Sequence, residues 1–468
     1  MIEIMIDVVQ WIFLLYVLGI NLGYMALNVS AMYSASNYMK GIEFRKFIGL
    51  YASYMPPVSV LVPAYNEETT IEATVKSLLQ LEYPEFEIIV VNDGSKDKTM
   101  EQLIGAFALQ QMNDGFRIRL STEKIQAVYC SPLHANLRVV DKENGGKADA
   151  LNAGINISQY PLFACIDADS ILERDSLRRV VLPFIEDPHT VASGGTVRIA
   201  NGCQIRDGFL QKIALPTNMM ALIQIVEYLR AFLFGRLGWV PLNALLIISG
   251  AFGVFHKETV IAAGAYRRET IGEDMELVVR LHRYLRNKGQ PYRITFVPDP
   301  VCWTEAPEDM NTLRSQRIRW QQGLSESLAA NMELLCNRRG GAVGWFAFPF
   351  MLVFEWFGPL LEVGGYIITV LGFIFGYVSL QGMLSLLILS ISLSVTVSVV
   401  ALLLEEITFH VYSGFKNIAI LFVVALIENF GYRQITAFWR VIGLYRWATR
   451  RKAVWGNMAR KGFKSDLT

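Results

Sequence analysis

Long apolar runs lie toward both ends of the chain, and a polar, short-period stretch lies between them. Val8 to Met32 is nearly uncharged and exceeds the ~20 residues a helix needs to cross a bilayer. Further apolar stretches run from about Trp345 to Val378, Leu380 to Leu404 and Ile418 to Phe430. The first two predict spans. The third is ambiguous: Glu428, Asn429, Arg433 and Gln434 at and just past its end are costly against lipid, so it is either a re-entrant or interfacial segment, the reading favoured by the basic tail, or a third span with that tail against the charge rule. From Tyr54 to about Arg338 the pattern changes to short β-branched runs, turns and amphipathic helices, as expected of a globular domain.

That middle stretch repeats one unit. Val58-Ser-Val-Leu-Val-Pro63 leads into Ala64-Tyr-Asn-Glu67 and an amphipathic segment from Thr69 to Leu81. Glu87-Ile-Ile-Val-Val91 leads into Asn92-Asp-Gly-Ser95, and Leu162-Phe-Ala-Cys-Ile166 into Asp167-Ala-Asp169. Apolar strands alternating with helices predict an α/β fold with a mainly parallel sheet covered on both faces. Ligands of such sheets bind at the carboxyl ends of the strands, which puts Asp93, Asp167 and Asp169 on the binding edge.

Composition adds location. The expected organisation is an N-terminal anchor and linker over 1–50, a catalytic domain over 51–340, and apolar helices with a basic tail over 341–468. Glu3 and Asp7 precede the first run where a signal peptide would be basic, so a retained anchor is expected. Lys40, Arg45 and Lys46 after it predict a cytoplasmic catalytic domain by the positive-inside rule. Arg440, Arg446, Arg450, Arg451, Lys452, Arg460, Lys461 and Lys464 predict a cytoplasmic tail on anionic lipid. The net charge of +1 offers no surplus for nucleic acid. Five cysteines without CxxC or Cys/His spacing predict reduced thiols and no zinc site.

Several motifs carry chemistry. Asp167 and Asp169, one residue apart at a strand end, suit a hard divalent cation and the diphosphate it bridges, although aspartates in turns are often simply solvated. Asn144-Gly-Gly-Lys147 opens a helix from about Ala148 to Ile157, so Lys147 either meets an anion there or sits on the surface. Ser249-Gly-Ala-Phe-Gly253 is either a close backbone approach to ligand or a β-bulge. Thr270-Ile-Gly-Glu-Asp274 opens another helix, where Asp274 is a general base aimed into the cleft or a helix cap. In Arg314-Ser-Gln-Arg-Ile-Arg-Trp-Gln-Gln-Gly323 the offsets of Gln316, Arg319, Trp320 and Gly323 share one helical face. Such a face offers a bidentate phosphate clamp, a flat wall for a sugar ring and an amide, or else it packs as an ordinary amphipathic helix.

In this order, the aspartate of Asn-Asp-Gly-Ser, the Asp-x-Asp, the Glu-Asp and the Gln-x-x-Arg-Trp resemble the motif set of the membrane-bound family-2 glycosyltransferases over about residues 56 to 325. That group includes synthases of hyaluronan, cellulose, chitin oligosaccharides and poly-N-acetylglucosamine. The resemblance implies a GT-A fold, a Rossmann-like sheet set among transmembrane helices. It implies an inverting, processive enzyme that extends a β-linked polysaccharide from a UDP-sugar with Mg2+ or Mn2+, coupled to membrane passage, with an export or accessory subunit as a further partner. It makes Asp93 the uracil contact with Asn66 and Glu67 nearby, Lys147 the diphosphate lysine, and Asp169 with Asp167 the metal ligands. Asp274, beside Glu273, becomes the base, and Gln316, Arg319 and Trp320 line the donor and acceptor subsites. A single transfer to a lipid carrier or glycolipid, and a non-catalytic nucleotide-binding subunit, are the alternatives. A stretch of about Gln110 to Val140 departs from the pattern, as do the lack of a regulatory domain after the apolar segments and of a clear gating loop.

Overall fold

The computed structural model describes residues 2–41, 54–112, 115, 117–206 and 208–451. Arg45, Lys46 and the tail from Lys452 on lie outside the described residues. The described residues form two compact units that do not follow chain order, one of residues 38–216 and 245–306 and another of residues 2–37, 217–244 and 307–451.

The first unit is built on a ten-stranded sheet. Its strands are β1 (Val58–Ala64), β2 (Phe86–Asp93), β3 (Gln110–Met112), β4 (Ile125–Cys130), β5 (Leu137–Lys142), β6 (Leu162–Ile166), β7 (Ile171–Leu172), β8 (Thr190–Ile199), β11 (Phe252–His256) and β12 (Arg293–Thr304), while β9 (Gln204–Arg206) and β10 (Phe209–Lys212) form a separate hairpin. The order is β3-β4-β5-β2-β1-β6-β11-β8-β12-β7. The core β5-β2-β1-β6 is parallel, which fits its mostly buried strands with their apolar centres. β11 runs antiparallel between β6 and β8, so the sheet is mixed beyond that core. The Gln110 to Val140 stretch folds into β3, β4 and most of β5, and extends one sheet edge by antiparallel pairing.

Flanking helices cover the core. Ile71–Leu78 buries Ile71, Thr74, Val75 and Leu78, the 3.6-residue spacing that its pattern predicted. Helix Lys147–Ile157 follows a glycine pair, and its N-cap Gly146 takes φ 88, a conformation that glycine adopts without a Cβ penalty.

The second unit is helical. Asp7–Lys40, Val343–Ile374 and Leu380–Thr408 are long and apolar enough to cross a membrane. The third predicted stretch is not one straight rod, since Phe415–Ile427 and Tyr432–Ala448 meet at a 58° bend. Glu428 lies at that bend, fully buried. Through Oε1 it pairs with Arg230 and accepts from Ser398 Oγ at 2.8 Å, so its charge has a partner inside the bundle. Arg440, expected on lipid, instead turns inward to Glu355 at 2.9 Å, where Tyr24 also donates at 2.6 Å. A half-buried carboxylate gains from such partners, and the basic pattern of the tail masked this one.

Candidate active site

At the carboxyl edge of the sheet, a lysine and three carboxylates converge. Asp167 follows β6 directly, and Lys147 starts the helix behind the glycine pair. The Lys147 Nζ lies 2.5 Å from Asp167 Oδ1 and 3.4 Å from Glu273 Oε1. Asp274 Oδ2 accepts from Gly250 N at 3.2 Å, and its Oδ1 accepts from Met275 N at 2.8 Å. In the small-residue turn, Gly250 lies close to protein groups: a Cβ there would stand 2.9 Å from Lys147 Nζ and 3.7 Å from Asp274.

Electrostatics follow from burial. The Glu273 carboxyl is pushed up to about 7, mainly by burial, with Lys147 pulling it down and the Asp274 charge adding to the rise. Burial disfavours the Lys147 ammonium, yet the carboxylates of Asp167 and Glu273 outweigh it and hold its pKa above the usual range. Lys147 is therefore a fixed cation at the strand ends. Asp274, half-buried, uses one oxygen on each backbone N–H, and a carboxylate has about four acceptor sites in all.

The other expected donor-site residues hold the loops. Asn66, at φ 56, accepts from Lys96 N at 2.8 Å and donates its N–H to Ser95 Oγ at 3.0 Å. Glu67 is buried, its N–H donating to Thr99 Oγ1 at 2.8 Å. Asp93 is only 3% exposed, and its carboxylate accepts from Lys142 Nζ, Asn144 Nδ2, Gly145 N and Gly146 N. Lys142 and Asp149, which complete this cluster, were missed in the sequence. Their one signal is position, at the end of the strand beside β2 and two residues past Lys147.

Asp167 and Asp169 are both half-buried at the end of β6. Among the described residues no group of three or more His, Cys, Asp or Glu side chains could hold a metal by itself. Two half-buried carboxylates still fit Mg2+ or Mn2+, because such ions keep waters and take phosphate oxygens as their remaining ligands.

Gln316, Arg319 and Trp320 belong to the helical unit, on helix Met310–Ala329. Gln316 and Gly323 are buried, Arg319 and Trp320 half-buried. The Gln316 Oε1 lacks a hydrogen-bond partner among the described residues. The Trp320 ring packs 5.5 Å from Phe232, and Arg317 stacks over it at 4.4 Å. Arg317, unmarked in the sequence reading, pairs with Glu227 at 2.7 Å.

Comparison with known proteins adds the following. The family described as Glycosyltransferase like family 2 matches residues 56–323. The poly-beta-1,6-N-acetyl-D-glucosamine synthase of Staphylococcus aureus (strain COL) is 33% identical over 273 residues, 58% of this chain and 55% of that protein. The synthase of the same name from Staphylococcus epidermidis is 30% identical over 272 residues, with the same coverage. The chain spans about half the length of these curated relatives. Among solved structures, the mannosyltransferase PcManGT of Pyrobaculum calidifontis, in complex with GDP-Man and Mn2+, aligns at 17% identity and TM-score 0.48, covering 92% of this chain and 100% of that one.

Proposed function

The chain belongs to the Glycosyltransferase like family 2, and on that premise we propose that it builds a β-linked polysaccharide from a UDP-sugar by inversion, at a membrane, adding sugars processively. The relatives named for a poly-N-acetylglucosamine product support N-acetylglucosamine as the sugar. The observation that carries the reading is the Lys147, Asp167, Glu273 and Asp274 cluster at the strand ends.

In the proposed reaction the donor diphosphate lies against Lys147, whose fixed charge stabilises the UDP that departs. Asp274 accepts the proton of the acceptor hydroxyl as that oxygen attacks the anomeric carbon and the bond to UDP breaks. Glu273 holds the Lys147 ammonium in place. Asp167 and Asp169 would hold Mg2+ or Mn2+, which neutralises diphosphate charge when bound. On the helical unit, Arg319 is proposed to bind phosphate by a charge-assisted contact, Gln316 to add a hydrogen bond and Trp320 to offer a stacking wall to a sugar ring. The catalytic unit faces the cytoplasm and the growing chain passes through the membrane, with or without an export subunit.

The test is to purify the full chain in detergent, supply several UDP-sugars with divalent metal, and measure UDP release and product length. Release with UDP-N-acetylglucosamine and a ladder of long products supports the reading. One-sugar adducts on a lipid with every donor would replace it with the lipid-acceptor alternative, and no release with any donor would remove it.

A further inference from the structure

Tyr266 is 5% exposed and lies in the turn between helix Lys257–Ala262 and helix Glu273–Asn287, the helix that bears Asp274. A buried residue outside both helices must find other partners for its backbone groups. Here one side chain supplies two. Asn152 Nδ2 donates to the Tyr266 carbonyl at 2.8 Å, and the Tyr266 N–H donates to Asn152 Oδ1 at 3.0 Å. Asn152 is itself buried, inside helix Lys147–Ile157. Asparagine is a poor helix former, because its amide competes for nearby backbone groups. At this position the amide bonds across to another element, a reciprocal pair that an apolar side chain cannot make.

The same turn is held from two more sides. The Tyr266 hydroxyl lies 3.0 Å from Cys165 Sγ on β6, the strand that Asp167 follows. Arg280, on the helix that bears Asp274, donates to the carbonyls of Ala263 and Ala265. Its guanidinium is fixed by Glu276, which is fully buried and accepts from Nε at 2.9 Å and from Nη2 at 2.8 Å. Ala265 holds φ 51, which a residue with a Cβ adopts rarely and only where its surroundings impose it. One turn is thus bonded to the helix of Lys147, to the strand that leads to Asp167, and to the helix of Glu273 and Asp274.

We infer that Asn152 and Tyr266 are positioning residues, a buried clasp that sets where the Asp274 carboxylate stands relative to Lys147 and so to the diphosphate. Lys147 has its own partner in Asp167, so losing the clasp moves the base and leaves the lysine in place. The inference rests on the proposed transfer reaction for the roles of Lys147 and Asp274, and the test separates the two.

In the full chain, Asn152→Ala removes both bonds of the clasp, and Tyr266→Phe removes only the hydroxyl contact. The Gly250 N–H, which donates to Asp274 Oδ2 at 3.2 Å, reports where the base stands, and its hydrogen exchange is measured without substrate. In Asn152→Ala, exchange at Gly250 should be faster by about tenfold or more, with the amides of β1 within about twofold of wild type. Transfer from UDP-N-acetylglucosamine should show kcat lower by about tenfold with UDP affinity within about threefold of wild type, the split expected of a displaced base beside an intact diphosphate site. Tyr266→Phe should move Gly250 exchange and kcat in the same directions by about threefold, the scale of one hydrogen bond. Unchanged exchange at Gly250 overturns the clasp, and so does exchange that rises equally at Gly250 and in β1, the mark of a merely structural loss. UDP affinity that falls as far as kcat overturns it too. If Asn152→Ala does not fold, Tyr266→Phe decides on the same readouts. If wild type releases UDP from no UDP-sugar, the transfer reading has failed, and exchange at Gly250 against β1 still confirms or overturns the clasp.

Discussion

Lys147 and Asp167 stand 2.5 Å apart, Nζ to Oδ1, although 20 residues separate them in the chain. The helix start and the strand end that carry them meet at one edge of a parallel core. This contact places a positive charge beside a carboxylate, the pairing that the proposed departure of a diphosphate would use.

Gly250 leaves the space that Lys147 occupies. A methyl group there would stand 2.9 Å from Nζ, the far end of a flexible side chain. Gly250→Ala should therefore lower kcat by about tenfold or more by displacing the ammonium, with the unfolding midpoint shifted by only a few degrees. Steady-state UDP release and a thermal melt check both. Unchanged kcat means that Lys147 has slack at this position.

The elevated Glu273 carboxyl gives a signed pH effect. Its pKa rises from 4.5 when unfolded to about 7 when folded. The folded state thus binds the proton more tightly, and the stability this lends is complete below the unfolded value and lost as pH rises through the folded one. Glu273→Gln does not titrate. Its melting temperature relative to wild type should improve between about pH 5 and about pH 8, and a flat difference over that window would contradict the shift.

Much of the fold was legible because buried parallel strands leave long apolar runs, and β1, β2 and β6 each end in a turn that the sequence marks. Less legible were the antiparallel β11 inside the sheet and the β3 and β4 extension, whose pairings come from register and not from composition. In the site, Lys147, Asp167, Glu273 and Asp274 come together as their motifs implied. Lys142, Asp149 and Arg317 were hidden, since a buried charge is written in the sequence like any surface charge and only its partners reveal it. Arg440 misled for the same reason.

Trp320 and Arg319 should separate by product. Trp320→Ala is expected to shorten products while changing UDP affinity little, since a stacking wall on sugar is worth on the order of 1 to 3 kcal/mol. Arg319→Ala should reduce both, through loss of a charge-assisted contact. Product sizing by mass spectrometry at matched UDP release checks this. Equal loss of UDP affinity in both variants would remove the distinction.

Excess chelator should abolish transfer, and Mg2+ or Mn2+ should restore it. Asp169→Ala should weaken UDP binding when metal is present and change it little in chelator, because the ion links carboxylate to diphosphate. Calorimetry in the two conditions gives the comparison. Full activity in chelator would contradict the Asp167 and Asp169 assignment.

The base is the centre of the account, and Asp274→Asn tests it most directly. UDP release and acceptor extension are measured with UDP-N-acetylglucosamine, and UDP affinity is measured on the same preparation by calorimetry. The account predicts transfer lower by at least ~10²-fold, the scale of a lost general base, with UDP affinity close to wild type. Near-normal turnover in Asp274→Asn would contradict it and leave Asp274 as a helix-terminal carboxylate bound to Gly250.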